Sequence, residues 1–355
     1  LELFLLLGLG AAMAAGVVLW DHDDDEVIEE VEDQISGEPV GDDFRLVDGT
    51  QIVGTQGDDV LTDADLNELD VLPNFESYSI DGGAGADLID FDGANTSASP
   101  SPQYATIEGG DGNDTISYDG GPSNSNSPTI VGGEGDDLIT VGNSSGFEVR
   151  AEGGAGNDTI DASSAASGRY SGGDGDDFIV TAGGGLSGEG HVNSADGGDG
   201  DDTIRFDAFT NFDGVDSAAV QSVSGDAGAD RFEVLVDEGG RGAYDDAPND
   251  LTSDVSRIDG STLRVQAFSV DDFEPGEDLL SLEVSTQDEA YSLSSIRMEE
   301  YAGRDGGLAT HIILSYQNEG TFTREVVVRL GATGVTWDDV DLVGADRSHL
   351  VSLMT

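Results

Sequence analysis

One nine-residue pattern, returning along the middle of the chain, restricts what this sequence can fold into more than any other feature. It reads GGEGDDLIT from Gly132, GGAGNDTID from Gly153, GGDGDDFIV from Gly172 and GGDGDDTIR from Gly197. It recurs as GGDGNDTIS from Gly109 and GGAGADLID from Gly82, and in frayed form as GTQGDDVLT from Gly54 and GDAGADRFE from Gly225, eight copies in all. The fourth position is always Gly. The sixth is always Asp: Asp59, Asp87, Asp114, Asp137, Asp158, Asp177, Asp202 and Asp230. The eighth is always apolar, from Leu61 through Ile89, Ile116, Ile139, Ile160, Ile179 and Ile204 to Phe232. Glycines at positions one, two and four permit positive-φ backbone and let carbonyl oxygens crowd inward, while the sixth position adds a hard anionic oxygen. Such a turn suits a hard cation. The apolar residue two places later starts a short strand facing a narrow core.

The pattern GGxGxDxUx, with U apolar, resembles the calcium-binding repeat of the RTX (repeats-in-toxin, hemolysin-type) proteins over residues 54–237. The resemblance implies an all-β fold, a parallel β-roll or β-solenoid, with several Ca2+ ions, up to about seven between eight stacked turns. It also implies a ligand set of sixth-position carboxylates and turn carbonyls. The candidates are the eight aspartates and the second- and fourth-position glycines Gly83, Gly85, Gly110, Gly112, Gly133, Gly135, Gly154, Gly156, Gly173, Gly175, Gly198 and Gly200. Asp114, Asp137, Asp158, Asp177 and Asp202 lead among them, because their turns keep both leading glycines, as does that of Asp87. Asp59 and Asp230 sit in copies that lost one. Position five varies among Asp, Asn and Ala, so its side chain is expected to face solvent and only its carbonyl to be a ligand.

Spacing refines this picture. Successive copies start 28, 27, 23, 21, 19, 25 and 28 residues apart. In proteins of this kind, nine-residue units follow one another directly and ion-bearing turns alternate between two edges, eighteen residues apart on the same edge. Here each coil is expected to keep one full turn and to replace the opposite one with an unrelated connection. The stretches 94–103, 120–128, 142–146, 162–168 and 183–193 are rich in Ser, Pro or Gly and lack the repeated Asp. A one-sided ladder of turns follows, with loops of varied length on the other edge. Apolar runs at 104–107, 129–131 and 147–149 supply return strands.

Charge decides which partners are reasonable. The chain carries 74 acids against 13 bases, all Arg, for a formal net charge of −61, which excludes nucleic acid. Low apolar content with such charge favours disorder unless the acids are neutralised, so the repeats are expected to need cation to fold. Seven divalent ions would supply about +14 and leave roughly −47. The remainder fits an acidic surface suited to a salty medium.

Outside the repeats, residues 3–20 lack any charge and would span about 27 Å as a helix, which reads as a membrane anchor or signal segment within 1–20. Residues 21–50 read as an acidic linker, 51–237 as the roll and 238–355 as a C-terminal β cap. Strand-like runs in the cap fall at 262–268, 279–284, 310–316 and 323–330, with Asn318-Glu319-Gly320 as a hairpin turn. The segment 270–280, VDDFEPGEDLL, resembles the one that often closes an RTX array, and 334–340, GVTWDDV, resembles the ending of such C-terminal domains. The tail 350–355 resembles an uncleaved export signal.

Other chemistries fail on their own residue requirements. No EF-hand loop, dinucleotide fingerprint, HExxH or GxSxG is present, there is no Cys, and His22, His191, His311 and His349 are scattered. The sequence therefore reads as a non-enzymatic, extracellular or cell-surface calcium-binding protein, bacterial by its resemblance. An adhesin binding a surface or polysaccharide is the first alternative, and an enzyme with its site in the C-terminal domain the second.

Overall fold

Apolar and polar residues alternate on either side of every repeated turn, and that period of two makes each repeat a strand, a turn and a second strand. The computed structural model describes residues 38–40, 44–47, 51–62, 64–65, 78–92, 105–119, 127–142, 148–165, 167–182, 193–209, 221–237, 255–257, 262–285, 291–302, 307–318 and 323–344. All belong to one compact unit, Ile35–Thr355. The apolar segment 3–20, most of the acidic linker and the tail 350–355 lie outside the described residues, as do most of the connecting stretches.

The strands form two parallel sheets stacked as a β-roll. In each coil a strand of the first sheet passes through the repeated turn into a strand of the second. Coil three, for example, is Ala105–Asp111, the turn, then Thr115–Asp119. Coil five is Val149–Ala155 followed by Thr159–Ala162. Equivalent strands pair in parallel from coil to coil, as where Val149–Ala155 lies between Thr129–Glu134 and Gly168–Asp174. The register puts like on like: Gly133 opposes Gly154 and Gly154 opposes Gly173, while Ile139 opposes Ile160 and Ile160 opposes Ile179. All eight turns therefore stack along one edge, as their spacing predicts.

Two apolar columns fill the narrow interior. One is the eighth-position column, buried from Leu61 to Phe232. The facing column is formed by Ile52, Ile80, Ile107, Ile130, Ala151, Tyr170, Ala195 and Val223, each two residues before its turn and each buried. Side-chain volumes are matched along it, because Tyr170 pairs in register with Ala151 on one side and Ala195 on the other. A third column adds aromatic stacking, with the rings of Phe91 and Tyr118 5.6 Å apart and 7° from parallel.

The roll does not stop at the eighth copy. Thr262–Val270 and Leu279–Ser285 pair in parallel with the two strands of coil eight and form a ninth coil. Thr323–Leu330 and Val340–Val343 pair in parallel with that one and form a tenth. Leu280 and Val340 extend the eighth-position column, and Val270 and Leu330 extend the facing one. The segments 270–280 and 334–340 are thus the turns of two further coils and their flanks. Beyond them Leu308–Asn318 pairs antiparallel with Thr323–Leu330, the expected hairpin, and Tyr291–Ala302 pairs antiparallel with Leu308–Asn318. At the other end, within the stretch read as an acidic linker, Phe44–Val47 pairs antiparallel with Gln51–Val53, and Glu38–Val40 pairs with Phe44–Val47. Phe44 is fully buried there and closes the first open end of the core.

The packing around Tyr170 gives a test. Its ring fills the space left by two alanines, while its hydroxyl is buried without a hydrogen-bond partner. Tyr170→Ala is expected to cost about 3–5 kcal/mol in denaturant unfolding with calcium present. Tyr170→Phe, which removes only the unsatisfied group, is expected to be neutral or stabilising by about 1 kcal/mol.

Candidate metal centre

Each repeated turn reverses the chain in few residues, and backbone conformation decides where its polar atoms face. Positions two and four of coils two to seven have positive φ, such as 120° at Gly110 and 127° at Gly112. Side chains other than glycine rarely adopt this region. It also turns carbonyls along the stack, so that a Cβ on Gly110 or Gly112 would overlap the carbonyl oxygen of Gly83 or Gly85 in the coil before.

Position one is glycine for a different reason than the sequence suggested. Its φ is not positive. Instead the sixth-position carboxylate folds back over it, and a Cβ on Gly109, Gly132, Gly153, Gly172 or Gly197 would overlap Oδ2 of Asp114, Asp137, Asp158, Asp177 or Asp202. Glycine is the space the carboxylate occupies.

The sixth-position aspartates form a ladder through the stack. The backbone N–H of Asp59 donates to Oδ1 of Asp87, that of Asp87 to Asp114, and so on through Asp137, Asp158, Asp177, Asp202 and Asp230, at 2.7–3.0 Å. All eight carboxylates are at least 97% buried. From Asp87 to Asp230 one oxygen of each is thereby satisfied by the preceding coil. The other is not: Oδ2 of Asp87, Asp114, Asp137, Asp158, Asp177 and Asp202 is buried with no hydrogen-bond partner. A carboxylate oxygen in that position is strongly unfavourable unless it meets a cation or a proton.

Electrostatics point the same way. Burial, with the like charge of nearby aspartates adding to it, pushes the carboxyls of Asp87 and Asp202 up to about 6 and those of Asp137, Asp177 and Asp230 up to about 7. The ladder hydrogen bonds pull in the opposite direction and lose. Asp114 and Asp158 are raised by burial as well. A divalent ion replaces the missing proton with greater charge, and its hard, oxygen-only preference suits carboxylates and carbonyls alike. Among the described residues no three His, Asp or Glu side chains converge on one point. A donor set of carboxylates one to a coil together with turn carbonyls would fit Ca2+ rather than a metal that prefers nitrogen or sulfur.

A second ladder lies outside the first, and the sequence reading missed it. The position-five side chains are exposed, as expected, but they are not idle. Oδ1 of Asp58, Asn113, Asp136, Asn157, Asp176 and Asp201 each accepts the position-five N–H of the next coil, at 2.8–3.1 Å. It runs opposite to the buried ladder: here each side chain accepts from the coil after it. The signal was the preference for Asp or Asn at that position, since both offer an acceptor of the same reach.

The frayed eighth turn is held from outside. Asp226 occupies position two with φ 64° where its neighbours have Gly. Asp272 of coil nine accepts from the N–H groups of Gly225 and Asp226 and from the Ser224 hydroxyl, at 2.7–3.1 Å. His311, far from the turns in sequence, stacks on Tyr301 with ring centroids 4.5 Å apart, its Nε2 unpartnered. His22, His191 and His349 lie outside the described residues.

Because protonation relieves the same oxygens that a cation would, acid should partly substitute for metal. Each raised carboxyl holds its proton more tightly in the folded, ion-free chain than in the unfolded chain, where it titrates near about 3.9. Ion-free stability is therefore expected to rise as pH falls through about 7 to 6 and to be lost as pH climbs back. Circular dichroism in chelator at steps between about pH 7.5 and 5 checks it; β signal that falls on acidification over this range would contradict the assignment.

A profile describing the RTX calcium-binding nonapeptide repeat matches four copies, at residues 106–122, 129–145, 150–166 and 187–212. These contain the turns of Asp114, Asp137, Asp158 and Asp202; the turns of Asp87 and Asp177 lie outside the matches yet stack in the same register. No curated protein matches the chain. With its fold, its buried carboxylate ladder and these four matches, the chain carries hemolysin-type RTX calcium-binding nonapeptide repeats.

Proposed function

We propose that this is a non-catalytic, secreted or cell-surface protein whose roll folds when calcium fills the stacked turns. The observation that carries the reading is the run of six buried aspartate oxygens without donors, one to a coil, each in a turn of the repeat pattern. Sites of extracellular type bind calcium at roughly 10⁻⁴ to 10⁻³ M, so low calcium inside a cell would leave the chain unfolded and millimolar calcium outside would fold it. The energy of ion binding is then the energy of folding. The acidity supports the same direction, because 74 acids in one chain repel one another until cations enter.

A second reading, a calcium-dependent adhesin for a surface or polysaccharide, draws on the outer face of the second sheet. There the seventh-position residues form one column in register, Val60, Leu88, Thr115, Leu138, Thr159, Phe178 and Thr203. Val60, Leu88, Leu138 and Phe178 are exposed, from 37% to 46%. In this reading calcium stiffens the face that does the binding, and a membrane anchor in residues 3–20 would hold it at the cell.

Titration of the full chain with calcium from zero to about 10 mM, against magnesium at equal ionic strength, tests the main reading. Circular dichroism is expected to show cooperative gain of β signal with calcium alone. Full β signal in chelator at neutral pH, or an equal response to magnesium, would contradict it.

A further inference from the structure

The carboxylate ladder is longer than the repeat pattern, and its ends are built differently from its middle. The N–H of Asp230 donates to Oδ1 of Asp278 at 3.0 Å, which makes Asp278, in a turn that keeps the fourth-position glycine, Gly276, but not the two leading ones, a ninth rung. Asp278 is 95% buried, as the rungs before it are. Its Oδ2, however, accepts the N–H of Glu274 at 2.7 Å. At the opposite end Oδ2 of Asp59 accepts the N–H of Thr55, and Oδ1 accepts the Thr55 hydroxyl at 2.9 Å. In coil ten Asp339, shifted by one place, accepts from Gly276 N–H at 2.9 Å with Oδ1 and from Thr336 N–H at 2.7 Å with Oδ2.

One backbone feature separates the two kinds of rung. Thr55 and Glu274 stand four residues before their aspartates, the place of the second repeat glycine. Neither has positive φ; among the described residues Asp226 alone does so without being glycine. Where position two has negative φ, its own N–H meets the carboxylate and completes it. Where position two is a positive-φ glycine, from Gly83 to Gly198, Oδ2 of the following Asp is left without a donor. From Asp59 to Asp202 and at Asp278 the residue at position two thus sets whether a rung is finished by protein or needs an ion, while Asp339 is finished by Thr336, three residues before it.

We propose that cations occupy only the inner block of the ladder, one for each orphaned oxygen from Asp87 to Asp202 with Asp230 completing the last, and that Asp59, Asp278 and Asp339 are ion-free closures at its two ends. The proposal rests on the calcium reading above. It assigns Asp59, in a copy of the repeat, to the group that binds no ion, and adds two rungs that the repeat pattern does not contain. Asp59 and Asp339 lie in the first and last coils, with a coil on one side only, and Asp278 lies in the coil before the last; a carboxylate completed by its own turn needs no ion shared with a neighbouring coil.

Calcium bound by the full chain at saturation, measured by equilibrium dialysis, is expected to be about six ions, following the six orphaned oxygens. Asp158→Asn is expected to lower the count or weaken binding measurably, while Asp59→Asn and Asp278→Asn leave both unchanged. Loss of an ion in either end variant, with the fold retained, would overturn the proposal. Should an end variant fail to fold, lanthanide-soaked crystals of the unaltered protein decide by anomalous peaks: all within the block from Asp87 to Asp230 supports it, and a peak against Asp59, Asp278 or Asp339 overturns it. No calcium bound at all would instead sink the calcium reading, which keeps the two failures distinct.

Discussion

The structure depends on a carboxylate that is half satisfied. In each inner coil one aspartate oxygen accepts the N–H of the coil before, which fixes the stacking register, and the other is buried with nothing to accept. A hydrogen bond of the first kind stabilises modestly, on the order of 1.5–3 kcal/mol for a charged acceptor, while an unmatched buried charge costs more than that. Stacking and ion demand are thus two consequences of one side chain. The core beneath is narrow, one apolar residue wide on each face, and has little surplus to carry six such groups unaided.

The glycines follow from that side chain. Position one has no Cβ because the carboxylate lies there; positions two and four have positive φ because their carbonyls must turn along the stack. At the two ends these demands relax, and so does the sequence: Thr55 and Glu274 stand where the inner copies have glycine, and their N–H groups do what a cation would do elsewhere. The exposed ladder of Asp and Asn at position five locks the same edge from outside.

Much of this was legible in the sequence because it repeats. Identical chemistry at one position in eight copies gave the turns, the sixth-position aspartates and the eighth-position core column, and the spacings gave the single edge. Coils nine and ten were harder to see, because VDDFEPGEDLL lacks the two leading glycines and keeps only the fourth-position Gly276, the Asp and the apolar residue after it, and the alignment that reveals Asp278 as a rung is spatial. The strand Tyr291–Ala302 escaped for another reason: it is a sheet-edge strand whose polar and charged residues, such as Arg297 and Glu299, weaken the apolar alternation. The second ladder was hidden by treating an exposed side chain as an idle one.

The most direct test is hydrogen exchange at the ladder amides themselves, followed in the full chain with calcium and with chelator at neutral pH. The N–H groups of Asp87, Asp114, Asp137, Asp158 and Asp177 are expected to exchange slowly with calcium, when their hydrogen bonds to the next coil persist, and rapidly without it. Equal, slow exchange in both would mean that the buried carboxylates hold the stack without an ion, and would contradict the account.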